Sequence, residues 1–94
     1  MASDMRQEVF DFALLMNQML DRNMHRDPQW PECSLLYLRT KLKRKVDQLD
    51  HRLHLKHGVK QGTPDAERLR EQAAHVANYA MMIADILDER DSNG

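Results

Sequence analysis

Three polar residues, Gln72, His75 and Asn78, follow one another at three-residue steps near the C-terminal end of the chain. Residues at this spacing lie on the same side of an α-helix. They border an apolar stripe with alternating steps of four and three, made up of Leu69, Ala73, Val76, Ala80, Ile83 and Leu87. Such a stripe predicts a helix that packs against a partner. We therefore expect the three polar side chains to face a groove between helices, where amides and an imidazole can hydrogen-bond a ligand.

A block of basic residues in the middle of the chain is the second candidate for chemistry. It consists of Arg39, Lys41, Lys43, Arg44 and Lys45, with Arg52 further on. On a helix, one face carries Lys41, Lys45, Gln48 and Arg52, and Arg44 lies beside it. Such a face can bind phosphate groups or an acidic protein surface. From composition alone, the favoured interpretation is a solvated helix face that is balanced by Asp47 and Asp50.

Residues that could bind a metal or act as a nucleophile do not form a complete site by spacing. The run His51, His54 and His57 could direct neighbouring imidazoles toward zinc or nickel. The simpler interpretation is a set of surface histidines near a helix C-terminus, where the helix dipole favours them. The single Cys33 precedes a helix and is interpreted as a packed loop cysteine. We therefore assign no catalytic residue and no metal ligand.

Three helices are predicted to position these residues. The first begins near Ser3 or Asp4 and ends around Asp21–Asn23, and its apolar stripe is Met5, Val9, Phe12, Met16 and Met19, widened by Ala13 and Leu20. The second follows an N-cap at Ser34 and runs to about His57, with the stripe Leu35, Leu38, Leu42, Val46, Leu49 and Leu53. The third begins with Thr63 as N-cap and Pro64 at the first helical position, and it ends near Glu89–Arg90, with residues 91–94 frayed.

A proline-containing loop, residues 24–33, connects the first two predicted helices. Trp30 in this loop is the only tryptophan of the chain. It either anchors the loop on the helices through its large apolar area or stacks on a nucleobase.

Composition predicts one all-α domain over residues 1–94. Aromatic residues make up only 5% of the chain, which suits packed helices better than a β-sandwich. The net charge of −1 argues against a general nucleic-acid binder. No apolar run approaches the length of a membrane span and no export signal is present, so we expect no membrane partner, and the single cysteine suits a reducing, cytoplasmic setting. Three helices, two of them with broad apolar stripes, predict a homodimer or higher homo-oligomer.

Residues 72–83, which read Q-A-A-H-V-A-N-Y-A-M-M-I, resemble the second motif of the MazG-like, all-α nucleoside triphosphate pyrophosphohydrolases. Members of that family commonly carry an acidic version, E-A-A-D-V-A-N-F/Y-A-M-M. Residues 37–49 are similar to the family's L-x-E-E-V-x-E-L helix, and Asn23-Met24-His25-Arg26 followed by Trp30 is similar to a loop of its short members. The resemblance covers roughly residues 9–88. It implies an all-α bundle completed by dimerisation, and hydrolysis between the α- and β-phosphates with Mg²⁺.

The family's metal-binding motifs, E-E-x-x-E and a later E-x-x-D, correspond here to residues without a carboxylate. The corresponding residues are Arg44, Lys45, Gln48, Gln72 and His75. An acidic metal site thereby becomes a basic one, and without Mg²⁺ the reaction loses its Lewis acid and its activated water. The resemblance therefore implies a pseudoenzyme of this fold.

The leading hypothesis is binding of a phosphorylated nucleotide without a cofactor, as a sponge or sensor. Arg44 and Lys45 would contact phosphate oxygens, and the rest of the predicted pocket is Gln48, Gln72, His75, Asn78 and Trp30. One alternative is a decayed bundle that serves as a protein-interaction or inhibitor module for an unknown protein partner. A second alternative is a nucleoside triphosphate pyrophosphohydrolase with an altered, Mg²⁺-dependent site.

Overall fold

The computed structural model describes residues 5–23, 33–55 and 58–93, and three helices account for most of them. Helix α1 spans Gln7–Asn23, α2 spans Leu35–Leu55 and α3 spans Pro64–Asn93. No β-strand occurs in these three segments. The prediction of an all-α fold is therefore confirmed.

Side-chain caps fix the starts of α2 and α3 at the predicted residues. The Ser34 hydroxyl oxygen accepts a hydrogen bond of 3.1 Å from the backbone N–H of Tyr37. The Thr63 hydroxyl oxygen accepts one of 3.2 Å from the backbone N–H of Ala66. Each cap satisfies a backbone N–H that has no acceptor within its own helix, which explains why the helices begin there.

The helix ends agree less well with the sequence-based prediction. Helix α3 continues to Asn93, past the predicted end at Glu89–Arg90, because no proline or glycine interrupts it there. Helix α1 begins at Gln7. The predicted start at Ser3 or Asp4 and the predicted end of α2 at His57 lie outside the described residues.

Two glycines shape the connection between α2 and α3. Gly58 has a φ of 72° and Gly62 a φ of 81°. Both values lie in the left-handed region, which a side chain with a Cβ disfavours. The predicted break between the second and third helices is therefore a turn that requires glycine at these two positions.

Helix α3 forms the centre of the fold. Helices α1 and α2 each pack against α3, and their described residues make no contact with each other. The radius of gyration is 15.0 Å, whereas a compact chain of this length has a value of about 12 Å. The three helices thus form an open arrangement. None of the three is long and apolar enough to cross a membrane.

The apolar core is small and centres on the contact between α1 and α3. Leu15 and Met19 of α1 pack with Ala74 of α3, and Phe12 and Met16 cover them. This differs from the predicted stripe of α1, which omitted Leu15. Among the described helices α1 packs on α3 alone, and the face that it covers there carries Leu15.

The other end of the predicted α1 stripe is uncovered, since Met5 and Val9 are exposed. Leu38 of α2 is buried, with only 1% of the residue exposed. Val46 and Leu53, which belong to the predicted α2 stripe, are exposed. Both helices therefore present apolar side chains to solvent on a flank that no other described helix covers.

The burial of Leu38 predicts a clear difference between two leucines of α2. We expect Leu38→Ala to lower the free energy of unfolding by about 2–5 kcal/mol, because it leaves a cavity in a small core. Leu36→Ala is the matched control, since Leu36 is 68% exposed, and its effect should stay within about 0.5 kcal/mol. Urea denaturation followed by circular dichroism measures both values. Equal losses for the two variants would show that Leu38 is not buried.

Candidate functional site

A line of polar side chains runs between α2 and α3, and its best-defined contact joins two glutamines. The side-chain N–H of Gln72 donates a hydrogen bond of 3.3 Å to the side-chain oxygen of Gln48. Gln72 is 7% exposed, so this contact lies inside the helix pair. We call the line the polar seam; its members are Lys45, Gln48 and Arg52 on α2 and Arg68, Gln72 and His75 on α3.

The pairing of Gln48 with Gln72 sets the register of the seam. The two helices are antiparallel, so a step along α2 matches an equal step back along α3. One turn from the glutamines in one direction lie Lys45 and His75, whose charges interact. One turn in the other direction lie Arg52 and Arg68, which line one common cleft. Each level of the seam thus joins two polar side chains from opposite helices.

His75 is the titratable group at the inner end of the seam. Burial lowers the pKa of His75 from its ordinary value of 6.5, and the positive charge of Lys45 lowers it further. Glu71 on α3 opposes this shift, while Arg22 on α1 adds to it. The neutral imidazole is therefore favoured, and it offers one hydrogen-bond donor and one acceptor.

An ion pair joins α1 to α3 beside His75. The Arg22 guanidinium lies 3.2 Å from the Glu71 carboxylate and also donates to the sulfur of Met19 at 3.5 Å. Because both charged side chains are partly exposed, the pair contributes little stability by itself. Its main effect is to bring the charges of three helices near one imidazole.

Asn78 is turned toward α1 and away from α2. Its side-chain N–H donates a hydrogen bond of 3.1 Å to the backbone oxygen of Met16. Its side-chain oxygen is buried and has no hydrogen-bond partner among the described residues. A buried acceptor without a donor costs about 1–3 kcal/mol. Asn78 therefore fixes α1 on α3 at an energetic cost, and it lies outside the seam.

A wider opening lies on the outer side of α2. This cleft has a volume of about 650 Å³, and its described lining residues all belong to α2: Arg39, Thr40, Lys43, Arg44, Asp47, Gln48 and His51. We call it the α2 cleft. It combines three permanent cations with one carboxylate, and its volume falls in the range of small-molecule sites. Gln48 lies at its border with the polar seam.

The structure brings together only part of the predicted ligand pocket. Arg44 and Gln48 line the α2 cleft, whereas Lys45 contributes to the seam with Gln72 and His75. The prediction that the polar edge of α3 faces other helices is confirmed for Gln72 and Asn78, which are buried. Trp30 lies outside the described residues.

The remaining candidate residues are the histidines of α2 and Cys33. His51 lines the α2 cleft, and His57 lies outside the described residues. Cys33 is a half-buried free thiol just before α2. Among the described side chains, no group of three or more His, Cys, Asp or Glu is arranged to hold a metal ion.

Two features of the site were not predicted from the sequence. The ion pair between Arg22 and Glu71 joins residues that are 49 positions apart, so no local sequence pattern predicts it. The clustering of Arg39 and Lys43 with Arg44 was visible as a basic block, but a basic block alone does not distinguish a cleft from a flat solvated face.

Comparison of the chain with protein-family models, curated proteins and solved structures finds no significant match.

The lowered pKa of His75 predicts a stability that falls in acid. As the pH falls below about 6.5, His75 takes up a proton in the unfolded chain before it does so in the folded chain. The free energy of unfolding therefore keeps the full contribution of His75 above that pH and loses it as the pH falls. We expect His75→Gln to flatten the decline in urea midpoint between about pH 7.5 and pH 5.5. An unchanged slope in His75→Gln would contradict the assignment.

Proposed function

We propose that this chain binds a phosphorylated nucleotide in the α2 cleft without a metal ion, as a pseudoenzyme of the MazG-like fold that acts as a sponge or sensor. The observation that most supports this proposal is the α2 cleft, an opening of ligand size whose lining has a net positive charge. The proposal also draws on the resemblance of residues 72–83 and 37–49 to the family motifs.

Charge in the α2 cleft supports a phosphate ligand in particular. The whole chain has a net charge of −1, yet this cleft gathers Arg39, Lys43 and Arg44 against a single carboxylate, Asp47. Guanidinium groups donate paired hydrogen bonds that match the geometry of phosphate oxygens, and a lysine adds a point charge. These groups can balance a phosphate charge that a hydrolase would balance with Mg²⁺.

The polar groups beside the cations supply contacts for the rest of the ligand. The Gln48 side chain lies at the border of the cleft, and its oxygen is held by Gln72. The orientation of Gln48 is therefore fixed before a ligand arrives, which lowers the entropic cost of binding. Asp47 can accept a hydrogen bond from a ribose hydroxyl, and it disfavours a ligand with no such donor.

The seam gives Lys45 a different role from the one predicted for it. Lys45 is half-buried and interacts with His75, so Arg44 is the main phosphate contact in this proposal. Lys45 acts at longer range by raising the local positive potential. A nucleotide ligand and a free thiol at Cys33 both suit the cytoplasm as the place of action.

Nucleotide binding in the absence of metal is the direct test. We expect titration calorimetry with a panel of nucleoside mono-, di- and triphosphates, in EDTA, to detect binding that weakens with salt. Arg44→Glu should weaken it at least about tenfold, because a charge-assisted hydrogen bond becomes a repulsion, while Lys45→Glu should have a smaller effect.

Lys60→Glu serves as the matched control, because it makes the same charge change at an exposed position away from the α2 cleft. An equal loss in Lys60→Glu would mean that only overall charge matters. No binding by any nucleotide of the panel in EDTA would contradict the proposal, and release of pyrophosphate from a triphosphate with Mg²⁺ would favour a hydrolase.

A second candidate function, a protein-interaction module, is favoured by the exposed apolar side chains. The large ones are Met5, Val9, Phe10, Leu14, Leu36, Tyr37, Val46, Leu53, Leu55 and Leu87. On α3, Ala80, Ala84 and Leu87 are exposed on the side opposite to His75. In this proposal the occupant of that side is a second copy of the chain, since its small residues allow two α3 helices to approach closely and the single chain is less compact than its length predicts.

Self-association can be measured independently of any nucleotide. We expect sedimentation equilibrium to give twice the mass of one chain, and we expect Ala80→Glu with Leu87→Glu to raise the dissociation constant at least about tenfold, because charge is placed in an apolar contact. Gln61→Glu, an exposed change in the turn before α3, should leave it unchanged. A wild-type protein that stays monomeric at all concentrations would contradict the dimer.

A further inference from the structure

A second cleft lies at the outer end of the polar seam, next to the turn that connects α2 and α3. It has a volume of about 420 Å³ and is lined by Arg52, Asp65, Arg68 and Leu69. None of these residues lines the α2 cleft. We call it the arginine cleft, and its properties do not depend on the proposed function.

Two arginines from opposite helices line the arginine cleft. The register set by Gln48 and Gln72 brings Arg52 of α2 to the same level of the seam as Arg68 of α3. Two positive charges on one cleft repel each other and together attract an anion.

The negative charge along the cleft balances only half of the positive charge. Asp65 is the one carboxylate among the lining residues, and it already takes part in an interaction. The nearby carboxylate of Glu67 forms an ion pair with Arg70, and that of Glu71 pairs with Arg22. The cleft therefore keeps a net positive charge even with Asp65 ionised.

The start of α3 contributes a partial positive charge, which Asp65 and Glu67 in its first turn partly offset. Thr63 caps the helix and Pro64 is its first residue, so the N-terminal end of a 30-residue helix adjoins the cleft. Such an end carries a partial positive charge and favours anions. Both guanidinium groups are exposed at the surface, so an anion can reach them from solvent.

From these observations we infer that the arginine cleft is an oxyanion site, in which Arg52 and Arg68 together bind a phosphate or pyrophosphate group. Each guanidinium offers paired N–H donors to the oxygens of the anion. The bound anion replaces the repulsion between the two arginines with two attractions. Its source is either a free inorganic anion or the phosphate chain of a nucleotide.

The test is a titration of the full chain with inorganic pyrophosphate, followed by NMR of the arginine side-chain N–H groups at low ionic strength. We expect the Arg52 and Arg68 resonances to shift. Arg52→Gln and Arg68→Gln should each weaken binding about tenfold, because each removes a charged donor. Should a glutamine variant fail to fold by circular dichroism, Arg52→Lys and Arg68→Lys retain the charge but lose the paired donors, and they should weaken binding less.

Arg6→Gln is the matched control, since Arg6 is an exposed arginine just before α1 that does not line the cleft, and the change removes the same charge. It should change the affinity less than about twofold. An equal loss in Arg6→Gln, shifts confined to other arginines, or no shift at millimolar pyrophosphate would overturn the inference.

The source of the anion is resolved by repeating the titration with a nucleoside triphosphate. Shifts of Arg52 and Arg68 that persist in Arg44→Glu indicate an anion recognised without the α2 cleft. Shifts that vanish in Arg44→Glu indicate a phosphate chain that reaches over from that cleft. Either result supports the guanidinium pair as the oxyanion contact, and failure of nucleotide binding alone leaves the pyrophosphate result standing.

Discussion

The hydrogen bond between Gln48 and Gln72 is the constraint on which the arrangement of polar groups depends. Two amides can form this hydrogen bond only at one register, and a slip by one residue would leave the buried Gln72 side chain without its partner. This register brings Lys45 close enough to His75 to act on its charge and places Arg52 and Arg68 along one cleft. The positions of the charged groups on the two helices are therefore matched to one neutral contact between them.

The open arrangement of the helices follows from how little apolar area each one shares. Helix α1 meets α3 through Leu15, Met19 and Ala74, and α2 contacts α3 through the hydrogen bond between Gln48 and Gln72. The remaining apolar residues form flanks that neither contact covers. A chain of this length buries a small fraction of its surface even when compact. The exposed flanks and the cationic clefts are thus two results of the same geometry, in which a central helix carries a separate neighbour on each side.

Local chemistry explains which parts of the structure could be predicted from sequence. The caps at Ser34 and Thr63 were predictable because each depends on residues within one helical turn. The burial of Leu15 was not, since the periodicity of α1 permits several stripes and only the position of α3 selects one of them. The same reasoning applies to the site. The residue types in the sequence predicted a polar edge on α3 and a basic block on α2. How far each side chain turns toward a cleft or toward the seam depends on helix rotation, which no single segment encodes.

Because α1 is attached only to α3 among the described helices, the fold contains parts that can open separately. Since α1 makes no described contact with α2, its detachment breaks only its contacts with α3, and the described residues that line the two clefts all belong to α2 and α3. A bound molecule suppresses only those opening motions that destroy its own contacts. Occupation of the arginine cleft, which α2 and α3 line together, therefore opposes the separation of these two helices and leaves the local release of α1 as frequent as before.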